Sequence, residues 1–404
     1  MSDNIPPVEI QMEIMKQLPV KSLIQFRSVS KTWKSIIESN DFIAAHHHHT
    51  HHHRLLVYCD RPVDDDPNYV SFADNHSFPQ HKVSLTAPLL VNKLKYLSVD
   101  NIVGSSRGLF CFSGYLPYKH IAVIWNPCIR RVVPVLVPKE PGNKFMSRIL
   151  GFGVCPVTND PKIIKIRYIN RHVHDVERIS HIPSQVEVEV EVEVFTLSTG
   201  VWRRPYNNLP PKSVSFYKSA VDVDGFLYWL AEDMIVMDDG GGYTRRNVII
   251  SFDLSSEEFR QVNLPHSLAH GYYNNISISK LRESLLVSQA DNHVNINVWL
   301  MEGGLAKSFS KLYTVNVDTW VSGFRRSGEP IIVVYEKISD EVHLFSKLAA
   351  YDPYSKCINC FWTGSMYATF KVYPYMETLL LLDQTNLAVY NEKESIRFLD
   401  DLVL

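Results

Sequence analysis

The chain has 404 residues, of which 45% are hydrophobic and 21% charged, and its formal net charge is −2. This composition is typical of a folded globular protein, and the near-neutral charge excludes a general attraction to nucleic acid or anionic membranes. Apolar runs are too short to span a bilayer, and the N-terminus lacks a signal-peptide pattern. Six cysteines are too sparse for a disulfide framework. We therefore expect a soluble protein of the cytoplasm and/or nucleus.

The first fifty residues predict two or three short amphipathic helices. The first helix carries an apolar stripe with a spacing of four residues: Ile10, Ile14 and Leu18. A proline is tolerated where a helix begins, so Pro19 is expected to end the first helix and start a second that carries Leu23 and Phe26. A third helix, capped by Ser30, has apolar residues at helical spacing: Val29, Trp33, Ile36 and Ile37.

The stretch from Pro6 to His46 resembles the F-box. The matching segments are Pro7 with Glu9-Ile10, Glu13-Ile14-Met15, Leu18–Leu23, Phe26–Trp33, and Phe42 with His46. The family usually opens with Leu-Pro, where this chain has Pro6-Pro7. The resemblance implies docking onto the Skp-type adaptor of a cullin–RING ubiquitin ligase. The alternative interpretation of these helices is a small cap packed on the rest of the chain.

Docking of this kind places apolar side chains of a helix in pockets of the partner. The candidate adaptor-binding residues are Pro7, Ile10, Ile14, Leu18, Pro19 and Leu23. The candidate core residues of the F-box itself are Phe26, Val29, Trp33 and Ile37. We expect the F-box to occupy residues 1–45 and to be only marginally stable alone, because a module this small buries little surface.

A histidine tract, HHHHTHHH, covers residues 46–53. Neutral imidazoles bind zinc, copper and nickel. However, the tract has no fixed ligand spacing and no neighbouring cysteine, so it lacks the pattern of a structural zinc site. We interpret it as a polar linker before a second domain, residues 54–404, and we expect neither a metal nor another cofactor.

Residues 54–404 contain short β-rich runs separated by Gly, Pro, Asn and Asp. One strand recurs with an aromatic residue: Phe72, Trp125, Phe195, Phe252, Trp299, Tyr351 and Tyr390. This repeat predicts a β-propeller of six or seven blades. With six blades, residues 54–86 would close the ring against the C-terminal strands. The expected fold class is therefore α+β and multidomain. A small N-terminal helical F-box is followed by an all-β propeller-like domain. A large β-sandwich is the alternative for the second domain.

The same region is similar to the F-box-associated domain of plant F-box proteins, which is kelch-like. The segments that carry the similarity include Trp125-Asn126-Pro127, Gly151-Phe152-Gly153, Val192–Phe195, Asp224–Leu230 and Val298–Met301. The resemblance implies that this domain holds a target protein.

The run from Val186 to Val194 alternates valine and glutamate. In a strand, the valines would lie on one face and the glutamates on the other. Basic residues at the same period on a partner strand, Lys165, Arg167 and Arg171, would compensate the repulsion between the glutamates. We therefore predict a hairpin that pairs 162–170 with 186–196, although a two-residue slip of this strand would look identical in its own side chains.

Enzyme motifs are missing from the sequence: it has no GxSxG, P-loop, HExxH or dinucleotide fingerprint in the right context. Cys357 and Cys360 form a lone CxxC without further zinc ligands close in sequence. The run Gly240-Gly241-Gly242 is interpreted as a flexible turn and not as a phosphate loop.

The combined pattern predicts a non-catalytic substrate-recognition subunit of an SCF-type cullin–RING ubiquitin ligase. Its partners would be the Skp-type adaptor, through it the cullin and RING proteins, and a target protein whose ubiquitination is promoted by proximity. Neither nucleic acid nor a membrane is expected as a partner. Target-binding residues are expected on the longest loops, 60–68, 170–185 and 233–247. The alternative is a β-propeller enzyme or small-molecule receptor with a helical appendage, which a deep pocket of ionisable groups would favour.

Overall fold

The computed structural model describes residues 6–49, 53–63, 68–95, 102–116, 119–138, 146–170, 188–205, 209–216, 219–236, 243–291, 295–303, 307–317, 319–337 and 344–382. The chain divides into two compact units, Met1–Val137 with Val372–Leu404, and Pro138–Lys371. Within the described ranges, no helix is both long and apolar enough to cross a bilayer.

Four helices open the first unit: α1 (Val8–Lys16), α2 (Val20–Phe26), α3 (Lys31–Ile37) and α4 (Asn40–His49). Pro7 and Pro19 stand immediately before α1 and α2, where a missing N–H costs no helical hydrogen bond. Ser30 caps α3 as predicted, because its hydroxyl accepts a hydrogen bond from the Trp33 backbone N–H at 3.1 Å.

The histidine tract differs from the predicted linker. Helix α4 continues through His49, and the first strand begins at His53, while residues 50–52 lie outside the described ranges. His46 is 2% exposed because it lies one turn after the buried Phe42 on the same face of α4, and the two rings stack with centroids 6.1 Å apart. Residues 46–49 of the polar linker predicted for 46–53 therefore belong to α4, and His46 is buried.

Two antiparallel sheets complete the first unit. The first is built from β1 (His53–Cys59), β2 (Tyr69–Ala73), β3 (Lys82–Leu85) and the last strand, β25 (Phe370–Met376), in the order β25-β1-β2-β3. The second contains β4 (Ile102–Ser106), β5 (Leu109–Leu116), β6 (Lys119–Asn126) and β7 (Arg131–Leu136) in sequence order. A short helix, α5 (Leu89–Lys95), packs on β5, with Leu94 against Gly114.

The second unit contains four more antiparallel sheets. The third sheet has β8 (Met146–Val154), β9 (Pro161–Asn170), β10 (Val188–Thr196) and β11 (Val201–Arg203). The fourth has β12 (Val214–Phe216), β13 (Val221–Val223), β14 (Phe226–Val236), β15 (Tyr243–Asp253) and β16 (Phe259–Asn263), followed by α6 (His266–Ala269). The fifth has β17 (Ile276–Leu281), β18 (Ser284–Asp291), β19 (Asn295–Glu302) and β20 (Ser308–Asn316). The sixth has β21 (Val321–Phe324), β22 (Pro330–Lys337), β23 (Leu344–Tyr351) and β24 (Ile358–Met366).

The sheets are the blades of a β-propeller, and the described strands form six of them. The recurrent aromatic residue lies on the equivalent strand of each sheet, at Phe72, Trp125, Phe195, Phe252, Trp299 and Tyr351. The first sheet joins N-terminal and C-terminal strands, as predicted for the six-bladed case. The β-sandwich alternative was therefore wrong, and Tyr390, the seventh aromatic residue of the repeat, lies outside the described residues.

The repeat in the sequence has a local physical cause. In three sheets, an Asn or Asp residue directly follows the recurrent aromatic residue. Its side chain accepts a hydrogen bond from the backbone N–H two positions later, at 2.7–3.1 Å. These residues are Asn126, Asp253 and Asp352. Four positions after each of them, the backbone adopts a φ between 55° and 59°. Asn and Asp favour such turns, so the aromatic–Asn/Asp pair marks where each of these three strands ends.

The predicted Val-Glu hairpin is confirmed. Strand β10 pairs with β9 in a register that places Glu193 opposite Lys165 and Glu191 opposite Arg167, and both pairs form ion pairs. The opposite face carries Val190, Val192 and Val194, which are buried in the core of the second unit together with Ile164 and Ile166. The matching period of charges on β9 and β10 fixes which faces the glutamates and valines occupy, whereas a two-residue slip that pairs Glu191 with Lys165 would keep the same types of contact.

A second buried ion pair ties the third sheet to the fourth. The Lys162 ammonium on β9 donates to Glu257 Oε1 and to the Leu254 carbonyl, both at 2.7 Å. Arg203 of β11 donates to the same carboxylate oxygen at 2.5 Å. Burial acts to raise the pKa of Glu257, but the hydrogen bonds from Arg203 and Lys162 outweigh it and hold the pKa below its ordinary value.

Candidate functional site

The helical module has its own hydrophobic core, formed by one or two residues from each helix: Met15, Val20, Leu23, Ile37, Phe42 and Ile43. Beside this core, the Phe26 and Trp33 rings are 5.4 Å apart between centroids. The Trp33 indole N–H donates to Gln11 Oε1 at 2.7 Å and so connects α3 to α1. The core is thus assembled without most of the apolar side chains of α1.

Helix α1 presents an exposed apolar surface. Ile10 is 50% exposed and Ile14 is 55% exposed. Val8, which lies one helical turn before Gln11, is also exposed. Pro7 and Pro19 are exposed at the starts of α1 and α2. Apolar side chains at helical spacing that the module does not bury itself are the feature expected of a helix-in-groove contact.

Two of the predicted roles are wrong. Leu23 was predicted to bind the adaptor, but its side chain is 0% exposed and forms part of the module's core. Val29 was predicted to lie in that core, but it is 62% exposed in the turn between α2 and α3. Helical spacing identified both residues as apolar positions, but it did not identify which side of each helix faces the other helices. Val8 was missed because the stripe was counted from Ile10.

Leu18 lies in the short connection between α1 and α2, and α4 holds it in place. Its side chain is half-buried, and its backbone carbonyl lies 2.9 Å from Nε2 of the buried His46. The connection that carries Leu18 and Pro19 is therefore fixed by the first residue of the histidine tract, a role that composition alone did not indicate.

The three loops predicted to bind a target share one topological position. Residues 60–68 join β1 to β2. The predicted loop 170–185 falls in the connection between β9 and β10, and the predicted loop 233–247 contains the connection 237–242 together with the end of β14 and the start of β15. Most of these loop residues lie outside the described ranges. In the second unit, a cavity of about 180 Å³ lies at the equivalent end of the fifth sheet, beside the strand pair β18–β19, and includes Trp320 and Tyr335 in its lining. Neither aromatic residue was predicted as a site residue.

Among the described residues, no group of three or more His, Cys, Asp or Glu side chains is placed to hold a metal ion. Cys357 and Cys360 are both exposed thiols at the start of β24. The described contacts include one hydrogen-bonded Ser–His pair, Ser113 Oγ to His120 Nε2 at 2.6 Å. It links the adjacent strands β5 and β6, and the His120 ring stacks on Tyr115 with centroids 4.8 Å apart. Gly240-Gly241-Gly242 lies outside the described ranges.

Comparison with known proteins identifies both parts of the chain. Residues 69–360 match the family model of the F-box associated beta propeller domain, and residues 7–44 match that of the F-box domain. An F-box protein of Arabidopsis thaliana is 23% identical over 372 residues, which cover 86% of this chain and 85% of the relative. An F-box/kelch-repeat protein of the same plant is 24% identical over 320 residues, 76% of this chain and 79% of the relative.

Similar solved structures are much more distant. An acylaminoacyl peptidase in complex with a chloromethyl ketone is 14% identical, with a TM-score of 0.35, over 68% of this chain and 40% of the peptidase. A likeness at this level carries no information about activity. The family matches are decisive because the propeller match alone spans more than half of the chain. This protein therefore belongs to the family of F-box proteins that carry an F-box-associated β-propeller domain.

Proposed function

We propose that this protein is the substrate-recognition subunit of an SCF-type cullin–RING ubiquitin ligase, acting in the cytoplasm and/or nucleus. The F-box binds a Skp-type adaptor, and the propeller domain binds a target protein for ubiquitination. The observation that carries the proposal is the exposed apolar surface of α1, Ile10 and Ile14 with Pro7, inside the segment that matches the F-box. The chain supplies no catalytic group, and its contribution to the reaction is to hold the target near the charged conjugating enzyme.

The first test is co-purification of the full chain with a Skp-type adaptor. The double variant Ile10→Asp/Ile14→Asp should lose the adaptor while the chain stays folded, because both side chains are about half exposed in the free module. A matched control is Val157→Asp/Val201→Asp, which changes two exposed apolar residues of the propeller domain and should keep the adaptor. Adaptor binding retained by the α1 variant would refute the proposed docking surface.

The second test concerns the target. Proximity labelling by the full chain, with and without proteasome inhibition, should enrich proteins whose abundance rises when the proteasome is blocked. The Ile10→Asp/Ile14→Asp variant should still label these proteins, since it retains the propeller domain, but it should no longer promote their ubiquitination. If the same proteins are ubiquitinated equally by both forms, the ligase role is wrong.

A further inference from the structure

The cavity of the second unit lies between secondary-structure elements of the fifth and sixth sheets. Its aromatic lining is Trp320, which precedes β21, and Tyr335 near the end of β22. Its polar lining includes Asn275, which precedes β17, and Asn295, the first residue of β19. Ile296, which is 4% exposed, adds a buried apolar wall. None of the described lining residues carries a charge, so they offer a charged ligand group no ion-pair partner.

The aromatic residues of this cavity are exposed, and hydrogen bonds hold the backbone beside Trp320. Trp320 is 58% exposed and Tyr335 is 43% exposed. The Trp320 carbonyl accepts a hydrogen bond from the Val333 N–H at 3.3 Å, and the Thr319 hydroxyl donates to the Val333 carbonyl. The backbone beside the indole is thereby attached to β22. Trp and Tyr side chains in such positions offer a large contact area to a partner, and little conformational freedom is lost when they bind.

The polar groups of the cavity include donors that are available to a ligand. Asn316 donates its Nδ2 to Asn295 Oδ1 at 2.7 Å, which leaves the Asn295 amide N–H groups for a ligand. Within the part of the chain that the structure describes, the Asn275 amide, the Tyr335 hydroxyl and the Trp320 indole N–H make no hydrogen bond. A ligand with hydrogen-bond acceptors and an apolar ring therefore matches the described lining, since the acceptors meet these donors and the ring packs on an aromatic face.

We propose that this cavity binds an uncharged, proline-containing segment of the target protein in the polyproline II conformation. Such a segment makes no internal hydrogen bonds, so its carbonyls are free to accept from Trp, Tyr and Asn donors. Proline has no N–H to leave unpaired, and its ring packs on aromatic side chains, as in other aromatic-lined grooves that bind Pro-rich peptides. The proposal rests on the proposed function, since it names the chemistry of the target that the propeller domain recognises.

The test is fluorescence anisotropy with the purified full chain, which does not depend on adaptor binding. The probe is a dye-labelled decaproline peptide, and a Gly-Ser peptide of equal length with the same dye is the reference. Decaproline should bind saturably and the Gly-Ser peptide should not. Trp320→Ala should weaken decaproline binding about tenfold or more, and Tyr335→Phe should weaken it less. Tyr354→Ala removes a 96% exposed aromatic residue from the turn between β23 and β24, outside the cavity lining, and should change nothing.

Three results would overturn the proposal. The first is the absence of saturable decaproline binding, and the second is equal binding of the Gly-Ser peptide. The third is displacement of decaproline by a neutral oligosaccharide such as cellotetraose, which would assign the cavity to a sugar. Because adaptor binding is measured separately through Ile10 and Ile14, failure of the peptide test leaves the proposed ligase role standing, and loss of adaptor binding leaves the peptide result interpretable.

Discussion

The Lys165–Glu193 pair predicts an asymmetric response to mutation. The Lys165 side chain is 1% exposed, and its ammonium donates to Glu193 Oε2 at 2.9 Å and to the Pro138 carbonyl at 3.1 Å. The Glu193 side chain is 23% exposed. Glu193→Ala leaves a buried ammonium with one neutral acceptor, and removal of one partner of a buried pair costs about 3–5 kcal/mol in free energy of unfolding. Lys165→Met leaves a carboxylate that water can reach, so we expect a loss of about 1 kcal/mol.

The assay is urea unfolding of the full chain, monitored by tryptophan fluorescence. The double variant Lys165→Met/Glu193→Leu should recover most of the stability that Glu193→Ala loses, because it removes both charges from the site. Arg204→Ala is the matched control: Arg204 is 73% exposed and lies 3.4 Å from Glu191, so its loss should change the unfolding free energy by less than about 0.5 kcal/mol. The reasoning fails if Glu193→Ala costs no more than Arg204→Ala, or if Lys165→Met costs more than Glu193→Ala.

Three further outcomes follow from the local chemistry. Ser30→Ala should reduce the stability of the helical module by about 1 kcal/mol, measured by thermal unfolding monitored by circular dichroism, whereas Ser30→Asp should retain the cap. The lowered pKa of Glu257 means that its contribution to stability is complete above the ordinary glutamate pKa of about 4.3 and is lost as the pH falls through the folded-state pKa. The wild type should therefore lose stability on acidification more steeply than Glu257→Gln, and parallel pH profiles would contradict this. Iodoacetamide should alkylate the exposed Cys357 and Cys360 before the buried Cys111, because burial raises the pKa of the Cys111 thiol. Equal alkylation rates in the folded protein would argue against the described core.

The sequence predicted the repeating parts of the fold well, because their causes are local. Alternation of valine and glutamate specifies a two-faced strand, and the aromatic–Asn/Asp pair specifies where a strand turns. The choice between six and seven blades could not be predicted from such local signals. It depended on whether the C-terminus adds a blade or completes the first one, and pairing between distant strands leaves no periodic signal in the sequence.

The sites were predicted less completely, because burial is a property of the assembled helices. Ile14 and Leu23 have the same apolar character in the sequence, yet one is 55% and the other 0% exposed. His46 was interpreted as part of a polar linker, since histidine clusters carry no helical signal of their own. Trp320 stands in a polar stretch before a strand, and only the packing of two sheets shows that it lines a cavity with Tyr335.

The pairing of β25 with β1 has a consequence for how the protein is made. Strand β1 emerges from the ribosome roughly 300 residues before β25, which at typical synthesis rates is a delay of about 15–60 s. Throughout that time one edge of β1 has no native partner, and such edges promote aberrant pairing between chains. A nascent chain that terminates before Phe370 never acquires this partner. The quality-control machinery of the cell should therefore recognise even a short C-terminal truncation of this protein, although the truncation removes neither the F-box nor the cavity.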